Sequence, residues 1–168
     1  WTDVDGCESD KKKAYKINSE GTKNVALACK AVGAALIYIS TDFVFDGRKK
    51  IPYKENDKAS PLSIYGDSKL KGEAAVKKIS KKYYILRTSW LYGKHGRNFV
   101  DTIIAKATLR QAQDRPEQGR GTKSAETLRV VNDQIGSPTY TKDLARAISM
   151  LLSVIARPAK QAEAISKT

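Results

Sequence analysis

Residues 35–40, "ALIYIS", constrain the fold more than any other stretch of the chain. The run is short, continuously apolar and rich in β-branched side chains, and it follows directly on a helix-like pattern closed by Gly33. A strand of that kind needs cover on both faces, which a parallel strand between helices has. "YYILRTS" repeats the arrangement after a second helix pattern, and "LRVVND" (residues 128–133) reads as a further strand. Helix, strand, helix, strand, helix, strand, helix is the rhythm of an open parallel α/β sheet. The expected fold class is therefore α/β, a Rossmann-like parallel sheet with flanking helices, incomplete because only three strands are visible.

The helix patterns make specific expectations. Residues 9–32 present Ala14, Ile17, Gly21, Val25, Ala28 and Val32 on one side, with Ser9 or Asp10 as the cap. Residues 64–80 put Leu70, Ala74 and Ile79 inward, residues 98–112 put Phe99, Ile103, Ala107 and Leu109 inward, and residues 141–156 do so with Leu144, Ile148 and Leu151. "PYKENDKASPLS" is a proline-marked loop. Residues 110–127 lack an apolar period and read as a mobile surface insertion within a domain spanning 1–156, and 157–168 as a polar tail.

Composition narrows the function classes. Apolar residues make up 40% of the 168 and charged residues 29%, a globular rather than disordered balance. A net charge of +13 raises nucleic acid as a partner, but the lysines are scattered and no aromatic residues interleave with them. Neither nucleic acid nor a membrane is expected, since the longest apolar runs are too short to span a bilayer. Cys7 and Cys29 form no ligand set, Cys29 reads as a small buried hydrophobe, and no leader pattern opens the chain, so the expected compartment is the cytoplasm. The opening "WTDVDGCE" and the single methionine at position 150 suggest a piece of a longer protein.

The sharpest chemical feature is "YGDSK". Tyr65 and Lys69 lie one helical turn apart and share a face. A nearby ammonium favours the phenolate, and a tyrosine so tuned can exchange a proton with a carbonyl oxygen. Ser40, Thr41 and Asp42 stand at the carboxyl end of the first strand, where open α/β sheets bind ligands. Thr88, Ser89 and Trp90 leave the end of the next strand, and the indole can form a wall against a sugar ring. Asn18 lies inside a helix, where asparagine is a poor former, and its amide can hold a buried water. His95 is a lone histidine, which builds neither a metal cluster nor a triad. Asp3, Asp5, Glu8 and Asp10 suit helix capping better than metal binding, so no metal is expected. No G-x-G-x-x-G or Walker-type loop is present.

Taken together, "YISTDFVFDG", "PYKENDKASPLSIYGDSKLKGE", "ILRTSWLYG" and "VVNDQIGSPTYTKDLA" resemble the dTDP-4-dehydrorhamnose reductases of the extended short-chain dehydrogenase/reductases. The resemblance runs from residue 1 to about 153 and lacks the family's amino-terminal glycine-rich turn and most of its C-terminal region. It implies an oxidoreductase that uses NADPH or NADH to reduce the 4-keto group of dTDP-4-dehydro-6-deoxy-L-mannose to dTDP-L-rhamnose in the full-length protein. It further implies Tyr65 as proton donor, with Lys69 holding the nicotinamide ribose and lowering the Tyr65 pKa. Thr41 would orient the carbonyl, Asn18 would match the superfamily's helix asparagine, and Thr88 and Ser89 would pass beside the nicotinamide. Asp5, Asp42, Trp90, Asn98 and Pro138 would border the substrate. A nucleotide sugar is the implied partner, and the resemblance allows a homodimer. Another nucleotide-sugar epimerase, dehydratase or reductase would share Thr41, Tyr65 and Lys69, and a non-catalytic regulatory homologue is the reading from a different class.

Overall fold

The computed structural model describes residues 1–96, 98–113 and 135–155, divided between two compact units, Trp1–Thr88 and Ser89–Thr168. The "LRVVND" strand and the polar tail lie outside the described residues, as does all of the expected insertion except 110–113, which belong to a helix.

The first unit opens with helix α1 (Val4–Ser9) and helix α2 (Lys11–Tyr15). A π-helical segment (Lys16–Gly21) leads into helix α3 (Thr22–Ala31). Strand β1 (Leu36–Thr41) runs into a 3-10 turn (Asp42–Val44), and a long loop brings the chain to helix α4 (Ile64–Ile79) and strand β2 (Tyr83–Thr88). β1 and β2 pair in parallel, from Leu36 opposite Tyr83 to Thr41 opposite Thr88. Parallel pairing through a crossover helix sends both carboxyl ends to the same edge, where Thr41 and Thr88 sit side by side.

The acidic opening does cap helices. Asp3 accepts from the Gly6 N–H at 2.9 Å and Asp10 from the Lys13 N–H at 2.9 Å. Glu8 reaches further, accepting from the Ile64 N–H at 2.7 Å, where helix α4 begins. That helix therefore has two caps, since Ser63 also accepts from the Gly66 N–H. Gly33 closes α3 with φ +68°, a left-handed conformation that glycine adopts without strain.

The expected apolar face of the first long helix is displaced by one residue. Ile17 and Val25 are exposed, while Asn18, Ala26 and part of Cys29 turn inward. The π segment is the physical reason. A wider turn inserts about one extra residue into the helical register, so 17, 21, 25 and 28 give way to 18, 22, 26 and 29. The core comprises Ala26, Leu36, Tyr38 and Val76, packed by Cys29, Ile79, Tyr83 and Ile85. A second cluster joins Cys7, Ala14 and Tyr65 to Trp1, Val4, Phe43 and Ile64.

Helix α4 also differs from its apolar pattern. Leu70 and Ile79 are half-buried and Ala74 is exposed, whereas Tyr65, Gly66, Ser68, Gly72, Glu73 and Val76 form the buried ridge. Two glycines explain how close this ridge comes to its neighbours. A Cβ on Gly66 would stand 2.1 Å from the Phe43 carbonyl oxygen, and one on Gly72 would stand 2.4 Å from Tyr38 Oη and 2.6 Å from the Asn18 carbonyl oxygen. The helix thus lies directly on the turn after β1 and on the π segment.

In the second unit, strand β3 (Leu91–Tyr92) pairs in parallel with strand β4 (Thr139–Tyr140), and Tyr92 packs on Tyr140 with centroids 5.3 Å apart. Neither short strand stands out in the sequence. Helix α5 spans Phe99–Gln113 and helix α6 spans Thr141–Ile155. On α6, Leu144, Ile148 and Leu151 form the half-buried stripe expected of them. On α5, Phe99 is exposed and Ile103 half-buried, and the side chains of Ala107 and Leu109 lie outside the described residues.

Candidate active site

At the carboxyl end of β1, Thr41, Asp42 and Tyr65 come together. Thr41 is buried, and its Oγ1 donates to Asp42 Oδ1 at 3.1 Å while accepting from the Phe43 N–H at 3.2 Å. Tyr65 is 8% exposed, and its ring meets Phe43 edge to face at 5.6 Å. Burial pushes the Tyr65 phenol above its ordinary pKa; the Thr41 hydroxyl beside it pulls down, and the Asp42 and Cys7 charges push up. Burial likewise raises the Asp42 carboxyl, against the hydrogen bond from Thr41.

Lys69, one turn further along α4, is held by strand β1. Its Nζ donates to the Ile39 carbonyl at 2.7 Å and lies 4.3 Å from the centre of the Tyr38 ring. Tyr38 Oη in turn donates to the Lys69 carbonyl at 3.3 Å, so the residue is held at both ends by one strand. Burial lowers the Lys69 pKa and the Glu73 charge opposes that. Desolvation is the largest influence on the Tyr65 phenol.

Asn18 sits at the buried face of the π segment. Its Nδ2 donates to the Trp1 carbonyl and to Ser68 Oγ, each at 3.0 Å, and its Oδ1 accepts from the main-chain nitrogen of Trp1 at 2.8 Å. Ser68 Oγ in turn donates to the Tyr65 carbonyl at 2.8 Å. The amide joins the Trp1 main chain to helix α4, one bond from the Tyr65 main chain. Thr88 Oγ1 approaches the Ser40 carbonyl at 3.4 Å, and Asp5 is exposed in the first turn of α1.

Ser89, Trp90, Asn98 and Pro138 belong to the second unit. Ser89 Oγ donates to the Ser137 carbonyl at 2.6 Å, and Pro138 is exposed. Trp90 holds φ 45°, a left-handed conformation rare for a bulky residue. Its ring contacts Phe99 at 6.2 Å and Gly136 lies flush against it, since a Cβ there would be 2.8 Å from Cε2. Asn98 caps α5, accepting from the Asp101 N–H at 2.9 Å and donating to the Gly93 carbonyl at 3.2 Å.

Residues 1–166 match the family described as the RmlD substrate binding domain. The chain belongs to the dTDP-4-dehydrorhamnose reductase family. It is 45% identical over 153 residues to the spore coat polysaccharide biosynthesis protein SpsK of Bacillus subtilis, covering 91% of this chain and 49% of that protein. It is 41% identical over 148 residues to a dTDP-4-dehydrorhamnose reductase of Sinorhizobium fredii, covering 88% and 45%. Among solved structures, a dTDP-4-dehydrorhamnose reductase of Bacillus anthracis in complex with NADP superposes with a TM-score of 0.79 at 46% identity, over 91% of this chain and 49% of that one. The chain spans about half the length of the curated relatives it matches.

The structure brings out Ser68, Glu73 and Arg87, which motif reading passed over, and gives Glu8 a contact beyond its own helix. Ser68 and Glu8 fix the Tyr65 helix, as described above. Glu73 and Arg87 form a two-pronged ion pair, Arg87 Nε to Oε1 at 2.9 Å and Nη2 to Oε2 at 2.6 Å. Glu73 is fully buried. Burial would raise its carboxyl, but Arg87, with Ser40 and Lys77, outweighs it, and the pKa lies below the ordinary value. Among the described residues the Ser40 hydroxyl makes no well-formed hydrogen bond, and it aids Glu73 by proximity alone. The available signal was a charge inside an apolar strand, "YYILRTS", which demands a partner. Among the described residues no cluster of His, Cys, Asp and Glu could hold a metal, and no helix is long and apolar enough to cross a membrane.

Proposed function

We propose that the whole protein carrying this chain is an NAD(P)H-dependent oxidoreductase that reduces the 4-keto group of dTDP-4-dehydro-6-deoxy-L-mannose to dTDP-L-rhamnose. The observation that carries the reading is the buried Thr41–Tyr65 pair at the carboxyl end of β1 with Lys69 one turn further along helix α4. The matched relatives add support, as they include proteins named dTDP-4-dehydrorhamnose reductase.

The donor set fits a nicotinamide cofactor at its ribose end. Lys69 uses one N–H on the Ile39 carbonyl, and an ammonium carries three, leaving donors for a ribose diol. The sequence has no G-x-G-x-x-G loop, so these residues supply contacts to the nicotinamide half alone. When bound, NADPH or NADH supplies the hydride that reaches C4 of the sugar.

The chain's own residues handle the oxygen. Thr41 turns its single hydroxyl proton from Asp42 to the 4-keto oxygen and so orients it, and Tyr65 delivers its phenolic proton to that oxygen as negative charge develops there. A phenol with its pKa raised by burial stays protonated at neutral pH, which is the form a donor needs. Asn18, through Ser68, fixes the main chain at Tyr65. Asp42 lies beside Thr41 on the substrate side, with Asp5, Thr88, Ser89, Trp90, Asn98 and Pro138 proposed to border the cofactor and sugar. The nucleotide sugar is the proposed partner, a homodimer the proposed assembly and the cytoplasm the proposed compartment.

The test is to follow reduced-nicotinamide absorbance with the whole protein and dTDP-4-dehydro-6-deoxy-L-mannose, and to identify the product by NMR. Cofactor consumption with formation of dTDP-L-rhamnose is expected. Conversion of a nucleotide sugar without net cofactor consumption would replace the reading with an epimerase or dehydratase.

A further inference from the structure

Tyr38 lies in the middle of strand β1, buried in the core cluster with Ala26, Leu36 and Val76. Any large apolar side chain could fill that cluster, but Tyr38 also makes two contacts with Lys69. Its hydroxyl donates to the Lys69 carbonyl at 3.3 Å, and its ring centre stands 4.3 Å from Lys69 Nζ. Helix α4 has no side chain where the phenol enters. A Cβ on Gly72, three residues after Lys69, would stand 2.4 Å from Tyr38 Oη and 3.0 Å from Cζ. The next strand residue, Ile39, supplies the carbonyl that accepts from Lys69 Nζ at 2.7 Å, and Thr41 ends the same strand.

We propose that Tyr38 is a positioning residue for Lys69, its ring face seating the ammonium where the nicotinamide ribose is to be held and its hydroxyl pinning that ring to helix α4. The proposal rests on the reductase reading for the cofactor, but the seat itself can be measured in the free protein.

A lysine side chain has four rotatable bonds, and fixing it only when a ligand arrives weakens binding about 2- to 10-fold. A seat that exists beforehand avoids that loss. Among the described residues no carboxylate forms an ion pair with Lys69, so the Tyr38 ring and the Ile39 carbonyl are what hold the ammonium. An aromatic face attracts a cation without neutralising it, which leaves the charge available to a ligand. The hydroxyl keeps the ring in register. Burial pushes the Tyr38 phenol up to about 12, so at neutral pH it retains the proton it donates to the helix. Because Tyr38, Ile39 and Thr41 share one strand, a single backbone places both the Lys69 ammonium and the Thr41 hydroxyl.

A tyrosine that merely fills the core would behave otherwise. In the whole protein without cofactor, NMR of lysines labelled at Cε reports the seat, because protons over an aromatic face resonate upfield. Lys69→Arg assigns the signal by removing it. The expected result is an upfield Lys69 signal in wild type and in Tyr38→Phe, which keeps the face. Tyr38→Leu, which removes the face, should return the signal to the ordinary lysine position. NADPH affinity, measured by calorimetry, should fall about 2- to 10-fold in Tyr38→Leu and less in Tyr38→Phe. A trifluorinated phenylalanine at position 38 keeps the ring's shape but empties its π face. It should weaken NADPH binding as leucine does, and it serves where Tyr38→Leu fails to fold. Val76→Ala is the packing control: it opens a cavity in the same cluster, and should lower stability while leaving the Lys69 signal and NADPH affinity as they were. An ordinary Lys69 position in wild type overturns the proposal. So does wild-type NADPH affinity in the fluorinated protein, or an equal loss of affinity in Val76→Ala. A protein that shows the upfield signal but binds no NADPH sinks the reductase reading and leaves the seat standing.

Discussion

Replacing Gly72 by alanine tests whether the close seating of helix α4 is needed. In an ordinary helix interior the change is favourable by about 1 kcal/mol, because alanine loses less backbone freedom. Here the new Cβ would fall 2.4 Å from Tyr38 Oη and 2.6 Å from the Asn18 carbonyl oxygen. The tyrosine hydroxyl can swing aside, at the loss of its bond to the Lys69 carbonyl, about 0.5–1.5 kcal/mol. The Asn18 carbonyl is main chain and already accepts from Thr22 Oγ1 at 2.8 Å, so it cannot. Moving from 2.6 Å to the 3.0 Å that real Cβ contacts respect requires 0.4 Å of helix displacement, and overpacking of that kind costs about 1–3 kcal/mol. The balance is a destabilisation of about 1–3 kcal/mol, read by urea denaturation. Gly21→Ala is the internal control. Its Cβ would meet only the Lys16 carbonyl, at 3.6 Å, and the substitution should be neutral or stabilising. Equal stability of the two variants would refute the account of how α4 is seated.

Other expectations follow from single contacts. Arg87→Met leaves the Glu73 carboxylate buried and alone, and should cost about 3–5 kcal/mol by chemical denaturation, far more than the double variant Glu73→Gln with Arg87→Met. The Glu73 pKa is depressed in the folded state, so its contribution is present above the ordinary value of 4.5 and is lost as pH falls through the lowered one. Stability measured against pH should therefore drop on the acid side, and less steeply in the double variant. Burial pushes Tyr38 up to about 12, so stability should fall between pH 10 and 12 as the unfolded phenol ionises first, and Tyr38→Phe should blunt that fall. Asn98→Ala removes the cap of α5 and should cost about 1 kcal/mol, seen as faster amide exchange in its first turn.

Much of the architecture was legible because strand β1 and helix α4 carry unambiguous local signals. "ALIYIS" is apolar on both faces, and "YGDSK" sits at the start of a helix pattern that runs from about Ile64. What failed to show was geometry that periodicity cannot encode. The π segment moved the buried face of the first long helix by one residue and delivered Asn18 to the interior, where an apolar count had placed Ile17. The buried ridge of α4 is made of glycine, serine and glutamate, types that read as surface until Tyr38, Asn18 and Arg87 are known to lie against them. Strands β3 and β4 are only two residues each and pair across a long sequence separation, leaving no alternation to detect. Lys69 illustrates the limit for chemistry: its spacing from Tyr65 gives the shared face, but the contacts of its ammonium with the Ile39 carbonyl and the Tyr38 ring leave no local signal in the sequence.

The most direct test of the central claim is the Tyr65→Phe variant of the whole protein. The ring that packs against Phe43 is kept and only the proton donor is lost. Single-turnover reduction of dTDP-4-dehydro-6-deoxy-L-mannose should slow by about 10²–10⁴-fold with substrate affinity and thermal stability nearly unchanged. A variant that reduces the sugar within a few-fold of wild type would remove Tyr65 from the chemistry and contradict the account.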